Sequence, residues 1–147
     1  MTSSTISKQH VVIRSAAGAA ALTLSNPLPE DEAHPVTSFL ATLEFKETFV
    51  ALRGATRTAL GDGSELIQFF ASLARDAAGF VGVREWASRE RELVLRADHD
   101  GSTRIILTVM MRPEYDPPPF TAEYRLRVPV TALTVLVDDV ARFVRAG

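Results

Sequence analysis

The chain of 147 residues contains no cysteine. This absence excludes a disulfide framework, a thiolate nucleophile and a zinc site built on cysteine. The sequence also lacks the run of about 20 apolar residues that a membrane-spanning helix needs. Sixteen basic residues against eighteen acidic ones give a net charge of −2, without the bias that favours polyanions. We therefore expect no nucleic-acid partner and no membrane partner.

The composition that remains is typical of a globular domain, with 46% apolar and 23% charged residues. A chain of this length can bury one core, so we predict a single domain over residues 1–147, with residues 1–7 disordered. The weakly apolar segment Ser15–Ser25 loosely resembles a secretory signal. Because it is rich in alanine and follows a strand pattern, we expect a cytoplasmic protein instead.

Two segments have the apolar spacing of an amphipathic helix, at i, i+3, i+4, i+7 and i+11. Asp62 and Thr131 are the predicted N-caps of these helices. The two apolar stripes consist of Leu66, Phe69, Phe70, Leu73 and Ala77, and of Leu133, Leu136, Val137, Val140 and Val144.

Eight other segments have extended or alternating patterns that predict strands. They are Val11–Arg14, Ala20–Leu24, Phe39–Lys46, Thr48–Arg53 with a possible continuation to Thr58, Phe80–Ser88, Leu93–Asp98, Thr103–Arg112 and Phe120–Val128. The resulting order ββββαββββα predicts an α+β fold with two helices packed on one face of an antiparallel sheet. Two helices are too few to cover both faces of a sheet of eight strands. We therefore expect a strongly curved sheet, or two partial sheets.

Five segments together resemble a small bacterial family classified as a domain of unknown function, number six-two-two-eight. The resemblance covers roughly residues 36 to 145, and its most distinctive part runs from Gly79 to Ser88. Members often have tryptophan where this chain has Phe80 and Phe120, so an indole N–H donor is lost at both positions. The family supplies no catalytic residues. The five segments are Gly63–Arg75, Gly79–Ser88, Leu93–Gly101, Ile105–Arg112 and Leu133–Phe143.

Arg84 and Trp86 are the first candidate binding residues. Since strand neighbours alternate, both side chains share one face of their strand. An arginine beside an aromatic ring is typical of ligand pockets and interface anchors. The alternative is a core tryptophan next to a surface arginine.

His99 lies between Asp98 and Asp100, which is compatible with a general base or a metal ligand. A calcium loop is excluded by spacing, because Thr103 and Val109 stand where such a loop needs glycine and glutamate. The alternative is a polar hairpin turn.

The remaining candidates lie near the last strand. Tyr115 belongs to a stiff proline-rich segment, residues 113–119, that could dock onto a partner or simply connect two strands. Tyr124 is predicted on the apolar face of the last strand, and Arg125 and Arg127 on its solvated face. No residue is predicted to be catalytic, to bind a cofactor or to hold a metal.

Two hypotheses about function follow. The first is a non-catalytic protein-interaction module of an immunity, inhibitor or assembly type, whose partner is another protein or a second copy. The second is a small-molecule binder or small enzyme with its pocket between the helices and the curved sheet. An enclosed cavity with convergent polar groups favours the second hypothesis, and a packed core with an exposed arginine and aromatic face favours the first.

Overall fold

Two four-stranded antiparallel sheets and two helices make up the fold of the residues that the structure describes. The computed structural model describes residues 10–16, 20–29, 34–47, 50–61, 63–113 and 121–145, with the backbone alone at 46–47 and 50–52. The predicted Asp62 cap and Tyr115 lie outside the described residues.

The first sheet contains strands in the order β1-β2-β3-β4. Their bounds are His10–Arg14, Ala20–Leu28, Ser38–Glu47 and Val50–Ala59. Alternate side chains of β1 to β3 face inward, and those of the outer face are polar or small in most places. This alternation is the period of two that the sequence shows.

Helix α1 follows the first sheet at Gly63–Arg75, and the second sheet then has the order β5-β6-β7-β8. Its strands are Arg84–Ala87, Leu93–His99, Arg104–Met111 and Ala122–Pro129. A short 3-10 turn at Val130–Ala132 leads into helix α2, Leu133–Val144.

The predicted α+β class and the order ββββαββββα are confirmed. The eight strands form two sheets of four, so the single curved sheet was wrong and the alternative of two partial sheets was right. The predicted cap at Thr131 was also wrong. Ala132 is the N-cap of α2 and makes no side-chain capping bond, because the 3-10 turn brings the chain into the helix already coiled.

One cluster of buried apolar side chains connects both sheets and both helices. Leu66, Phe70 and Leu73 of α1 and Val140 and Phe143 of α2 are among its members. These positions belong to the apolar stripes or lie beside them, so the helical period determines which face of each helix is buried. Phe143 meets Phe39 of β3 edge to face, with ring centroids 5.8 Å apart.

The two halves of the chain, each of order ββββα, repeat the same hydrogen bonds. The hairpin after β1 is closed by a bond from Ser15 N to Ala20 O at 2.9 Å, and the hairpin after β5 by one from Ser88 N to Leu93 O at 2.9 Å. Ser15 and Ser88 are each the first residue after the first strand of their half. The architecture is therefore an internal repeat, although the two halves share no sequence motif that reveals it.

The ends of the fourth strands repeat as well. Leu60 N donates to Thr37 O at 2.8 Å, and Val130 N donates to Thr103 O at 2.9 Å. In both halves the donor is the first residue after the fourth strand, and the acceptor directly precedes the third strand. Each helix thus leaves its sheet from an equivalent anchored point.

The two sheets meet at two junctions, which we define by one main-chain hydrogen bond each. At the β1–β8 junction, Ala16 N donates to Arg127 O at 2.6 Å. At the β4–β5 junction, Arg89 N donates to Ala59 O at 3.2 Å. The donors Ala16 and Arg89 are both the second residue after the first strand of their half, so they occupy equivalent positions of the repeat. The acceptors differ, because Ala59 is the last residue of β4 and Arg127 lies two residues before the end of β8.

A side chain supports each junction, and here the halves differ. At the β1–β8 junction, Arg127 N donates to the hydroxyl of half-buried Ser15 at 3.2 Å. At the β4–β5 junction, Ala59 N donates to the carboxylate of Glu92 at 3.3 Å. Glu92 is only 2% exposed and also accepts a hydrogen bond from the buried Ser88 hydroxyl. A buried carboxylate needs such donors, because it has lost its contacts with water.

We expect Glu92→Ala to lower the free energy of unfolding by about 1–3 kcal/mol, because the Ser88 hydroxyl and the Ala59 N–H lose their buried acceptor. Ser15→Ala, the matched change at the other junction, should cost about 1 kcal/mol or less, because water reaches that position. Urea unfolding of both variants measures the difference. Equal losses would contradict the distinction between the two junctions.

Candidate functional site

The outer face of β8 presents the largest cationic feature among the predicted site residues. Leu126 and Val128 point into the core, so Arg125 and Arg127 point outward into solvent, as the alternation predicts. Opposite them on β7 lie Thr108 and Ile106. A surface concavity of about 660 Å3 opens here, which we call the arginine concavity. Its lining residues are Ser15, Ile106, Glu123, Tyr124, Arg125 and Arg127.

The charges on this face of the second sheet are not all balanced. Arg96 lies on β6, which β7 separates from β8, and it pairs with Glu85, whose Oε1 lies 2.7 Å from Arg96 Nε. That hydrogen bond holds the pKa of Glu85 below its usual value. Among the described residues, neither Arg125 nor Arg127 forms an ion pair. Two guanidinium groups are therefore available to carboxylates of a ligand.

Tyr124 is held at the edge of this concavity by the core. Its ring stacks on Phe45 of β3, with centroids 4.6 Å apart and planes within 13° of parallel. The two rings join the inner faces of the two sheets and are each half-buried. Tyr124 is consequently a fixed aromatic surface next to two exposed cationic side chains, and both residue types are enriched at protein interfaces.

Arg84 is used to hold the end of α1. Its guanidinium donates to Ser72 O at 2.9 Å and to the Asp76 carboxylate at 2.7 Å, and it lies 4.1 Å from the centre of the Phe80 ring. The hydrogen bond from Arg84, followed by one from Arg75, holds the pKa of Asp76 below its usual value. Ser72 O also accepts the backbone N–H of Asp76 at 3.1 Å, so Arg84 is a second donor that ties β5 to the last turn of α1.

His99 performs a similar task from the second sheet. Its Nδ1 accepts a hydrogen bond from Gly101 N at 2.9 Å, so Nε2 carries the proton and donates to Ala77 O at 2.8 Å. The imidazole also meets Phe80 edge to face, at 5.7 Å between ring centroids. The structure therefore brings Arg84 and His99 together around Phe80, where both anchor the segment after α1.

The other predicted residues do not take part in anchoring the segment after α1. Trp86 is 5% exposed and belongs to the core. Asp98 is the penultimate residue of β6, and Asp100 lies in the turn that follows. The Ser102 N–H, which Asp100 accepts at 2.7 Å, keeps the pKa of that carboxyl below its usual value. In the described part of the chain, no three histidine or acidic residues are grouped to hold a metal.

A second concavity, which we call the β1 groove, was not predicted from the sequence. It lies between β1, the end of β8 and α2, and has a volume of about 400 Å3. Its one signal in the sequence is Val135, an apolar residue outside the buried stripe of α2, which is 63% exposed. The lining residues are Val12, Ile13, Arg14, Ser15, Ala16, Val128, Pro129, Ala132, Val135, Leu136 and Asp139.

Comparison with known proteins supports the resemblance found in the sequence. The model of a family of unknown function, DUF6228, matches residues 13–147. This is the family that the sequence resembles, and the match begins upstream of residue 36, within the first strand at Ile13. No curated protein and no solved structure matches the chain. Neither helix in the described residues is long and apolar enough to cross a membrane.

Asp76→Asn tests the anchoring role of Arg84 through its pH dependence. Because folding lowers the pKa of Asp76, the pair stabilises the fold fully above the unfolded value of about 3.8 and is lost as the pH falls through the lower folded value. The stability difference between wild type and Asp76→Asn should therefore shrink on acidification. Thermal melts at several pH values measure it.

The matched control is Asp138→Asn, which removes an exposed carboxyl of α2 that forms no ion pair with any described residue. Its difference from wild type should be small at every pH. An Asp76→Asn difference that stays constant down to about pH 2 would show that Asp76 does not stabilise the fold as a carboxylate.

Proposed function

Because this chain belongs to DUF6228, a family whose description names no activity, we propose from its geometry that it is a non-catalytic protein-interaction module. It would be an immunity protein, an inhibitor or an assembly factor, and it would act in the cytoplasm. One observation carries the proposal: Arg125 and Arg127 have no ion-pair partner among the described residues and lie beside the fixed ring of Tyr124 over an open concavity. We assign the partner an acidic surface that presents carboxylates to these two arginines.

The chemistry of the arginine concavity supports a protein partner. Guanidinium groups bind carboxylates through two parallel hydrogen bonds, which fixes orientation as well as charge. Arginine and tyrosine contribute disproportionately to binding energy at protein interfaces. The half-exposed Ile106 adds apolar surface between the charged groups. A partner can therefore bury a small apolar centre inside a charged rim.

The packing of the interior also supports binding at the surface. Large side chains from both sheets and both helices fill the space between them, among them Phe39, Phe70, Trp86 and Phe143. Both concavities lie at the surface, since exposed residues such as Arg127 and Val135 line them. As far as the described residues show, neither is lined by a histidine that could serve as a general base for Ser15.

Small-molecule binding is the second candidate, and the β1 groove favours it. Its volume of about 400 Å3 falls within the range of roughly 300–1,000 Å3 that is usual for ligand sites. Its walls are mainly apolar, with Arg14, Ser15 and Asp139 as the polar groups. Such a site would hold an apolar molecule that carries one charged or hydrogen-bonding group.

Co-purification from cells that produce the chain naturally tests the proposal. The double variant Arg125→Glu and Arg127→Glu should bind the recovered acidic protein about tenfold more weakly or worse, because like charges then face each other. Binding by the wild type should also weaken as salt is raised. Isothermal titration calorimetry with the purified partner measures both effects.

The matched control is Arg53→Glu with Arg57→Glu, which reverses two exposed arginines on the strand β4 of the other sheet. It should keep the wild-type affinity, and circular dichroism should show that both double variants are folded. Recovery of a specific small molecule and no protein would contradict the proposal and favour the second candidate.

A further inference from the structure

We infer that the β1 groove binds an extended segment of the partner protein, which pairs with the free edge of β1 and inserts an aromatic side chain. The acidic residues that flank this side chain would face Arg14 and Arg127. The inference deepens the proposed function, because it takes the partner to be a protein. It rests on four separate features of the groove: its backbone, its shape, its place in the repeat and its charge.

The backbone of β1 is available for pairing on the groove side. Among the described strands, β1 pairs with β2 alone. Ser15 N donates to Ala20 O, so Val11 and Ile13, which alternate with Val12 and Arg14, also direct their main-chain groups toward β2. Val12, Arg14 and Ala16 therefore direct their main-chain groups the other way. Ala16 N donates to Arg127 O. The main-chain groups of Val12 and Arg14 have no main-chain hydrogen-bond partner among the described residues. A strand edge of this kind is a template for an added strand.

The shape of the groove arises where β8 departs from β1. Pro129, the last residue of β8, has no N–H to continue a ladder with β1. The chain then coils into the 3-10 turn and α2, which leaves a gap beside Val12 and Arg14. Buried Ile13 and Leu136 are part of its walls, and exposed Val135 forms its open side.

The repeat shows what kind of side chain fits this gap. At the equivalent β4–β5 junction, the penultimate residue of the first strand is Trp86 where β1 has Ile13. The seventh residue of the helix is Phe69 where α2 has Asp139. Trp86 and Phe69 are both buried, at 5% and 7% exposure. The β1 groove is thus the place where one half of the repeat lacks two aromatic rings that the other half supplies itself.

The charge around the groove selects acidic flanks. Asp139 is already paired with Arg142, one turn further along α2. Arg14 and Arg127 form no ion pair with the described residues. Ser15 lines both the β1 groove and the arginine concavity, so the two sites adjoin at this residue. One extended segment can therefore place its ring in the groove and its carboxylates at the arginines.

A blocked pentapeptide, Asp-Val-Trp-Val-Asp, is the probe for nuclear magnetic resonance titration of the labelled protein. We expect shifts concentrated at the amides of Val12, Arg14 and Val135, and none when alanine replaces the peptide tryptophan. Asp139→Phe, which restores the ring found in α1, should weaken binding at least tenfold. Asp138→Phe, which adds the same ring one position away and outside the groove, should bind within about twofold of wild type.

Three outcomes would overturn the inference. If the peptide changes no chemical shifts of β1, or changes them equally in Asp139→Phe and wild type, the groove is not the binding site. Binding of free indole in the groove without any binding of the peptide would make it a small-molecule site. Self-association of the wild type at high concentration that Asp139→Phe abolishes would assign the groove to a second copy.

The inference and the proposed function fail in different ways. If the co-purified partner binds Asp139→Phe as tightly as wild type, the groove is not used and the protein-interaction function stands. If the peptide binds in the groove but no protein partner is recovered from cells, the groove recognises aromatic segments and the proposed function is wrong. If the partner binds neither Asp139→Phe nor the Arg125→Glu, Arg127→Glu variant, the result supports both the inference and the proposed function.

Discussion

Two main-chain hydrogen bonds, one at each junction, join the edges of the two sheets around their shared core. Each sheet ends in two strands that lack a neighbour on one side, and the bonds from Ala16 to Arg127 and from Arg89 to Ala59 bring these edges together. Because each bond fixes only one point, the edges are free to diverge on either side of it. At the β4–β5 junction the buried Glu92 accepts a further hydrogen bond from Ala59 N, and Trp86 and Phe69 are buried. At the β1–β8 junction the divergence opens the β1 groove.

Much of the fold follows from periodicity, and the number of sheets does not. Alternation in a segment such as Ile105–Met111 identifies the two faces of a strand, and the stripe of Leu66, Phe70 and Leu73 identifies one face of a helix. Neither pattern specifies which strand lies alongside which. The junction bonds are made by main-chain atoms that every residue except proline carries, so no side chain marks them. Because main-chain atoms also make the hydrogen bonds that the two ββββα halves share, the repeat is visible in those bonds and not in the amino-acid sequence.

The candidate site was predictable in part. Outward Arg125 and Arg127 follow directly from the alternation of β8. Arg84 and His99 were also singled out, but their hydrogen bonds go to Ser72, Ala77 and Asp76 at the end of α1. Ligand sites and helix ends use the same polar and aromatic residues, because both present groups that lack a hydrogen-bonding partner. The β1 groove required the structure, since Ile13 and Asp139 are ordinary residues until they are compared with Trp86 and Phe69.

The sequence separation across the two junctions has a consequence for how the chain folds. Glu92 and Ala59 are 33 residues apart, whereas the backbone of Arg127 meets the side chain of Ser15 across 112 residues. Hairpins and helices within each half have a low contact order and can form first, while the closure of β1 against β8 carries the larger loop entropy. The edge of β1 is accordingly among the last surfaces to gain its native neighbour. A partner segment that pairs with this edge would act on a late step of folding as well as on the finished protein.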